Sequence, residues 1–286
     1  MPLIAVDDIS DPRLADYRNV PDPELLRDRG VFVAEGRHVV RRLLTASRFA
    51  ARSILLTPAA REALGDLLPA IPDIPIFAVS QDAMNAIVGF NIHRGCLAIG
   101  ERQPLPPWQD LAGQATRLVI LEHVSNADNV GAIFRNAAAF GVDAVLLGPS
   151  CTDPLYRKAI RTSMGAALMV PFTTLREWPA DLGSVRGAGF RILALTPAAD
   201  APTVREVVHG SSAPSHVAQG REAPSNTARP FPAADRLALL LGHEGHGLTD
   251  AALEAATTRV RIPMTGTVDS LNVATAAALA LYELSR

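Results

Sequence analysis

The chain has 286 residues, a hydrophobic fraction of 48% and a formal net charge of −2 at pH 7. This length suggests two domains with buried cores, and the charge gives no overall signal for nucleic-acid binding, so such contacts must come from local basic clusters. The acidic N-terminus lacks the features of a signal peptide, and the apolar runs are too short to span a membrane. A cytoplasmic protein is therefore predicted.

The first hundred residues are predicted to form a small α/β domain over residues 1–103. After an aperiodic lead-in over residues 1–20, short strands alternate with helices. Strands are predicted at 31–34, 53–57, 74–80 and 96–100, and helices at 24–29, 35–46, 59–68 and 81–88. Residues 104–116 contain three prolines and no periodicity, which predicts a linker.

Residues 117–286 are predicted to form a second α/β domain around a parallel sheet, because nearly continuous apolar runs alternate with helical patterns. Strands are predicted at 117–124, 144–148, 167–172, 191–196, 237–242 and 260–263, and helices at 129–140, 153–161 and 274–284. Ser270 has the chemistry of an N-cap for the last helix. Residues 208–235 are rich in Ser, Pro, Ala and Gly, which predicts a long flexible insertion.

Three polar motifs follow predicted strands of the second domain. N-x-G-x-x-x-R begins at Asn129, G-x-E-G-x-G-L begins at Gly242, and IPMTGTVDSLNV begins at Ile262. Ligands of open parallel sheets bind outside the carboxyl ends of the strands, so these loops are predicted to converge on one site. Gly131 and Arg135 lie four residues apart on one helix face, which predicts open space beside the guanidinium.

Two other kinds of site are less well supported by the sequence. A zinc site at His243, Glu244 and His246 lacks the helical frame of zinc motifs and a third ligand, so no metal is predicted. The G-x-G-x-x-G fingerprint is absent after the first strand of the second domain, which disfavours a dehydrogenase. Cys96 and Cys151 have no metal-type spacing and are interpreted as ordinary small apolar residues.

The three motifs, in this order, resemble the signatures of the SpoU (TrmH-like) branch of the SPOUT methyltransferases. This family transfers a methyl group from S-adenosylmethionine to a ribose 2′-hydroxyl of RNA. The resemblance implies S-adenosylmethionine as cofactor, rRNA or tRNA as substrate, a trefoil knot in the C-terminal domain and a homodimer. The phrases FVAEGRHVVRRLL and HRGCLAIGER resemble the small ribosomal-protein-like RNA-binding domain that often precedes SpoU domains.

The resemblance also implies roles for individual residues. Catalytic roles fall to Asn129, Arg135, Glu244, Ser270 and Asn272. Main-chain groups that hold adenosine are implied at Thr196, Gly242, Ile262 and Leu271. RNA contacts are implied at Arg37, Arg41 and Arg94.

Two questions stay open at this point. Arg135 acts either as a base or by stabilising the alkoxide or holding the adjacent phosphate, and an arginine pKa above about 12 favours the second role because almost no neutral form exists. The alternative function is a non-catalytic RNA-binding protein that kept the fold. All the positions that loss of catalysis should erase first are filled here.

Overall fold

The computed structural model describes residues 3–70, 74–92, 95–209 and 236–285. Contacts divide the chain into two compact units. The first unit contains Met1–Leu105, Asn126–Arg135 and Thr152–Pro171, and the second contains Pro106–Ser125, Asn136–Cys151 and Phe172–Arg286. These units follow contacts and not chain order, so the predicted domains at 1–103 and 117–286 stay a prediction. Arg94 and positions 210–235 of the predicted insertion lie outside the described residues.

The elements are numbered in chain order. The strands are β1 (Leu3–Ala5), β2 (Val31–Glu35), β3 (Ala51–Leu56), β4 (Ile76–Ala78), β5 (Cys96–Glu101), β6 (Arg117–Leu121), β7 (Ala144–Leu147), β8 (Phe172–Thr174), β9 (Phe190–Leu195), β10 (Arg236–Leu241) and β11 (Thr258–Val260). The α-helices are α1 (Asp22–Arg27), α2 (Arg37–Thr45), α3 (Pro58–Ala63), α4 (Gln81–Val88), α5 (Trp108–Ala112), α6 (Ala127–Ala139), α7 (Arg157–Thr162), α8 (Ala180–Gly187), α9 (Val204–His209), α10 (Asp250–Ala255) and α11 (Val273–Leu284).

The first unit contains a five-stranded mixed sheet in the order β1-β4-β3-β5-β2. Strands β1, β4 and β3 run parallel, whereas β5 is antiparallel to both β3 and β2, so that Ala98 faces Ile54 on one side and Ala34 on the other. Buried apolar side chains of β2, β3 and β5 pack with those of α4 in one core. This arrangement confirms an α/β structure for the first hundred residues.

The lead-in over residues 1–20 is more structured than predicted. β1 extends the sheet by pairing with β4, and a 3-10 turn covers Pro12–Leu14. The fully buried Tyr17 forms a 2.7 Å hydrogen bond with Ser53, which fixes this segment on the sheet. A three-residue strand is too short to give a periodic signal, so the sequence pattern could not identify it.

The second unit contains a six-stranded sheet in the order β11-β9-β10-β6-β7-β8, and all its strands are parallel. The predicted parallel sheet is therefore confirmed. The strand β10 lies between β9 and β6, and Leu239 faces Leu193 on one side and Val119 on the other. The near-continuous apolar character of these strands follows from burial on both faces. The predicted trefoil knot stays a prediction.

Two local predictions between residues 153 and 172 were wrong. Residues 166–168 form a 3-10 turn where a strand was predicted at 167–172, because Gly165 has a left-handed φ of 83° and Ser163 Oγ accepts from Ala167 N. The helix predicted at 153–161 begins at Arg157, since Asp153 Oδ1 accepts from Leu155 N and holds a turn instead. Residues 104–116 contain the short helix α5, and their role as a linker stays a prediction.

None of the helices in the described part of the chain has the length and apolar character of a membrane span.

Candidate functional site

A pocket of about 460 Å³ opens at the carboxyl ends of β9, β10 and β11 in the second unit. Its volume lies within the range of small-molecule sites, roughly 300 to 1,000 Å³. All four predicted cofactor positions line it: Thr196 after β9, Gly242 after β10, and Ile262 and Leu271 after β11. Parallel strands bring their following loops to one edge of the sheet, which explains this convergence.

The loop after β10 is a closed turn held by its own backbone. The His243 and Gly247 backbones exchange two hydrogen bonds of 3.1 and 2.9 Å. A Cβ on Gly242 would lie 2.5 Å from the Gly247 carbonyl carbon, and Gly247 itself has a φ of 70°. Glycine is therefore required at position 242 for close backbone approach and is favoured at 247 by conformation.

The His243 side chain forms hydrogen bonds with the backbone of this turn. Its Nδ1 accepts hydrogen bonds from Gly245 N at 2.8 Å and His246 N at 3.2 Å, and its ring stacks on that of His246 at a centroid distance of 5.2 Å. Because an acceptor nitrogen carries no proton, the neutral ring has its proton on Nε2. The turn therefore occupies Nδ1, which is one of the two ring nitrogens through which a histidine can bind a metal. Among the described residues, no group of three or more His, Cys, Asp or Glu side chains forms a metal site.

The start of α11 differs from the prediction. Asn272, and not Ser270, is the N-cap, because Asn272 Oδ1 accepts from Ala274 N at 2.9 Å and Thr275 N at 3.2 Å. The helix begins at Val273, so Ser270 lies too early in the chain to reach those amides. Ser270 is exposed and lines the pocket, and the half-buried Glu244 lines it as well.

The first motif lies on α6. Val130, Phe134 and Ala137 form the predicted buried stripe, and Arg135 is exposed. The predicted open space beside Gly131 is wrong, because a Cβ there would lie 2.5 Å from the Ala159 carbonyl oxygen of α7. The glycine serves close packing of two helices. The structure shows no space that Gly131 leaves for the Arg135 guanidinium.

The predicted catalytic residues fall into two groups. Glu244 and Ser270 lie at the pocket with the four cofactor positions, and Asn272 caps the helix that follows. Asn129, which is half-buried, and Arg135 belong to the first unit. Their part in the site stays a prediction.

The predicted RNA-binding arginines lie in the first unit. Arg37 is exposed at the start of α2, and Arg41, one turn later, forms a two-pronged ion pair with Asp66. Arg94 lies outside the described residues.

One residue next to the pocket loop was not predicted from the sequence. Glu122 directly follows β6 and is fully buried, with a carboxylate that accepts from Trp178 and Thr249. Its partners lie 56 and 127 residues away in the chain, so no local motif contains them. The available signal was an acidic residue at the end of an otherwise apolar strand, which is rarely buried without partners.

Comparison with known proteins places the chain in a family. A family model described as the SpoU rRNA Methylase family matches residues 116–282. The chain belongs to this family. The predicted family and the predicted class of enzyme, an RNA methyltransferase, are therefore confirmed.

Relatives and solved structures agree with this assignment. An uncharacterized tRNA/rRNA methyltransferase of Mycobacterium bovis is 42% identical over 98% of this chain and 91% of its own length. The 23S rRNA (guanosine(2553)-2'-O)-methyltransferase RlmP of Bacillus subtilis is 24% identical over 98% of both chains. The AdoMet-bound rRNA methyltransferase of Sinorhizobium meliloti has the same fold, with a TM-score of 0.75 at 23% identity over 98% of this chain and 97% of that one.

Proposed function

We propose that this SpoU-family protein transfers the methyl group of S-adenosylmethionine to a ribose 2′-hydroxyl of rRNA or tRNA in the cytoplasm. The observation that carries the proposal is the pocket at the ends of β9, β10 and β11, where the four cofactor positions meet Glu244 and Ser270. The relative in Bacillus subtilis is named as a 2'-O-methyltransferase. The rRNA methyltransferase of Sinorhizobium meliloti, which has the same fold, was solved with AdoMet bound. Both names support the proposed chemistry.

The pocket residues fit this cofactor. Apolar side chains of Leu195, Ile262 and Leu271 offer surfaces for a flat adenine ring, and the glycine turn lets main-chain groups approach a ligand closely. The exposed Ser270 hydroxyl can both donate and accept hydrogen bonds at the same pocket. When bound, S-adenosylmethionine supplies a methyl group already activated by its positive sulfur.

The protein must then position the ribose and allow the 2′-hydroxyl to lose its proton. The 2′-oxygen would form a new bond to the methyl carbon as the bond from that carbon to sulfur breaks, the cofactor would leave as a neutral thioether, and the hydroxyl proton would pass to solvent. A neutral hydroxyl is a poor nucleophile, so stabilising the developing alkoxide and aligning it with the methyl carbon are the main tasks. Arg135 stays charged at neutral pH and so cannot serve as a base. Its positive charge stabilises the developing alkoxide, and its planar fork holds the ribose in line with the methyl carbon.

The proposal extends to the whole assembly. Arg37, Arg41 and Arg94 contact RNA, the C-terminal domain is knotted around the cofactor, and two copies form a homodimer. The exposed apolar side chains Leu279 and Tyr282 on α11, at 44% and 46% exposure, support a dimer surface there. Tyr282 also packs edge-on against Phe140 at a centroid distance of 6.3 Å, which gives the surface a fixed aromatic part.

Two measurements test the proposal. Calorimetry on the folded protein should show binding of S-adenosylmethionine. Mapping of 2′-O-methylation in RNA from a strain that lacks the gene should show one or more missing sites, which the purified enzyme restores in vitro. A folded protein that binds no S-adenosylmethionine would remove the methyltransferase mechanism. Cofactor binding without any lost methylation site would favour the non-catalytic RNA-binding alternative.

A further inference from the structure

The fully buried Glu122 carboxylate holds three donors from two distant segments. Oε1 accepts from Trp178 Nε1 at 2.7 Å and from Thr249 Oγ1 at 2.7 Å, and Oε2 accepts from Thr249 N at 2.8 Å. A buried carboxylate is costly unless it is well paired with donors. These three bonds are therefore strong determinants of where both segments lie.

The same residue also holds the start of the pocket loop. Glu122 N donates to Leu241 O at 2.8 Å, immediately before the turn 242–248, and the carboxylate holds Thr249 immediately after it. One residue thus fixes both ends of the loop that supplies seven successive positions of the pocket lining, Gly242 to Leu248. Glu122 itself does not line the pocket.

The two partners of the carboxylate are themselves held in place. Thr249 Oγ1, which donates to Glu122, also accepts from Ala252 N at 3.2 Å and so forms the N-cap of α10. The Trp178 ring lies against Gly148, where a Cβ would come within 2.9 Å of it. Thr249 is therefore held by the start of α10, and Trp178 packs against the residue that follows β7.

We infer that Glu122 is a positioning residue, which holds the turn 242–248 in the shape that binds S-adenosylmethionine and thereby sets the affinity for the cofactor. This inference rests on the proposed function, because it assumes that the pocket takes this cofactor. Glu122 is fully buried and lies outside the pocket lining, so its effect on the cofactor is indirect. Its side chain acts on the end of the loop at Thr249, and its backbone N–H acts on the start of the loop at Leu241.

Substitutions at three positions separate this role from a general contribution to stability. In Glu122→Gln, one carboxylate oxygen is replaced by an NH2 group, which donates hydrogen bonds. The partners Trp178 Nε1, Thr249 N and Thr249 Oγ1 donate in the wild type, so the bonds to the replaced oxygen are lost. Thr249→Val removes the hydroxyl from the network, whereas Thr249→Ser keeps it. Trp178→Phe removes a single donor. Thr173→Val is the matched control, since it deletes another partly buried hydrogen bond of the second unit, from Thr173 Oγ1 to Pro106 O at 2.6 Å, outside the pocket.

Calorimetry and thermal melts on the full-length variants provide the test. We expect Glu122→Gln and Thr249→Val to raise the Kd for S-adenosylmethionine by about tenfold or more, as loss of hydrogen bonds to a charged group implies. Trp178→Phe should raise it by a smaller factor, and this variant carries the test if Glu122→Gln does not fold. Thr249→Ser should bind almost as the wild type does. Thr173→Val should lower the Tm but leave the Kd unchanged.

Steady-state kinetics add a readout that a purely structural role would not move. We expect the KM for S-adenosylmethionine to rise in Glu122→Gln by a larger factor than kcat falls, because the displaced turn also carries Glu244, while the KM for RNA stays close to wild type. An unchanged Kd in folded Glu122→Gln, or an equal rise in Thr173→Val, overturns the inference alone. A wild-type protein that binds no S-adenosylmethionine overturns the proposed function first, and the inference with it.

Discussion

Arg41 and Asp66 form a two-pronged ion pair, in which Nη1 and Nη2 each lie 2.7 Å from a different carboxylate oxygen. The pair is accessible to solvent, and the Arg41 guanidinium holds the pKa of Asp66 below its usual range. A planar guanidinium binds phosphate with the same two-pronged geometry. If Arg41 contacts RNA, phosphate must replace Asp66, so this carboxylate is a direct competitor of the substrate.

The first prediction follows from that competition. Asp66→Asn should tighten RNA binding, and Arg41→Ala should weaken it and reduce the slope of log Kd against log salt by about one. Fluorescence anisotropy at several salt concentrations measures both effects. Asp11→Asn is the control, because Asp11 also pairs with an exposed arginine of the first unit, Arg13, whose side chain is 53% exposed. Equal effects of the two Asp substitutions would mean that net charge, and not Arg41, governs binding.

The second prediction concerns Arg135. Arg135→Ala should lower kcat by about a hundredfold or more, the effect of losing roughly 3 kcal/mol of transition-state stabilisation, with the Kd for S-adenosylmethionine nearly unchanged. Arg135→Lys should rescue little, because lysine keeps the charge but loses the planar fork. Arg205→Ala, at an exposed position of α9, is the control. Near wild-type turnover in Arg135→Ala would take this residue out of the mechanism.

The third prediction concerns the two thiols. Burial raises the pKa of Cys96 to about 12 and that of Cys151 to about 11, because it disfavours the thiolate. Both thiols should therefore be protonated and alkylate slowly at pH 8 in the native protein, and Cys151 should react faster as the pH approaches 11. Iodoacetamide labelling followed by mass spectrometry measures this, with urea-denatured protein as the fast reference. Rapid native labelling at pH 8 would contradict the interpretation of both residues as ordinary apolar positions.

The fourth prediction concerns the predicted insertion. Val208 and His209 belong to α9, and His209 Nε2 lies 3.1 Å from the Glu283 carbonyl oxygen, so the replaceable part begins after them. Replacing 210–235 by a short Gly/Ser linker should leave the Tm almost unchanged, because this composition buries little apolar surface. Removing α9 as well should lower the Tm, since Val204 and Val207 are buried. A large loss of Tm in the shorter deletion would refute the prediction.

The fifth prediction concerns assembly. Leu279→Glu should convert the proposed homodimer into a monomer, because a charge at the centre of an apolar interface is left without a partner. Analytical ultracentrifugation measures the molecular mass. Ile9→Glu is the control, because Ile9 is equally exposed, at 48%, but lies in the first unit. Loss of the dimer in both variants, or in neither, would place the interface elsewhere.

The sequence predicted most about the parts of the chain that local patterns determine. Continuous apolar strands followed by polar loops located the pocket, since the carboxyl ends of parallel strands meet at one edge. The sequence did not predict features that depend on contacts between distant parts of the chain. Gly131 must be a glycine because α7 packs against it, and Glu122 is buried because it accepts hydrogen bonds from residues 178 and 249. The choice of Asn272 over Ser270 as N-cap depends on where the helix begins, which propensity alone leaves open by a few residues.

The position of β10 in the sheet also bears on how the chain folds. β10 is the fifth of six strands to be made, yet it lies between β6 and β9, and it joins residues as far apart in sequence as Leu239 and Val119. Until β10 arrives, β6 and β9 each present an unpaired apolar edge. Such edges favour aggregation, and parallel pairing between distant segments is slow. During synthesis, the edges of β6 and β9 that pair with β10 therefore stay open to association with other chains until residues 236–241 are inserted.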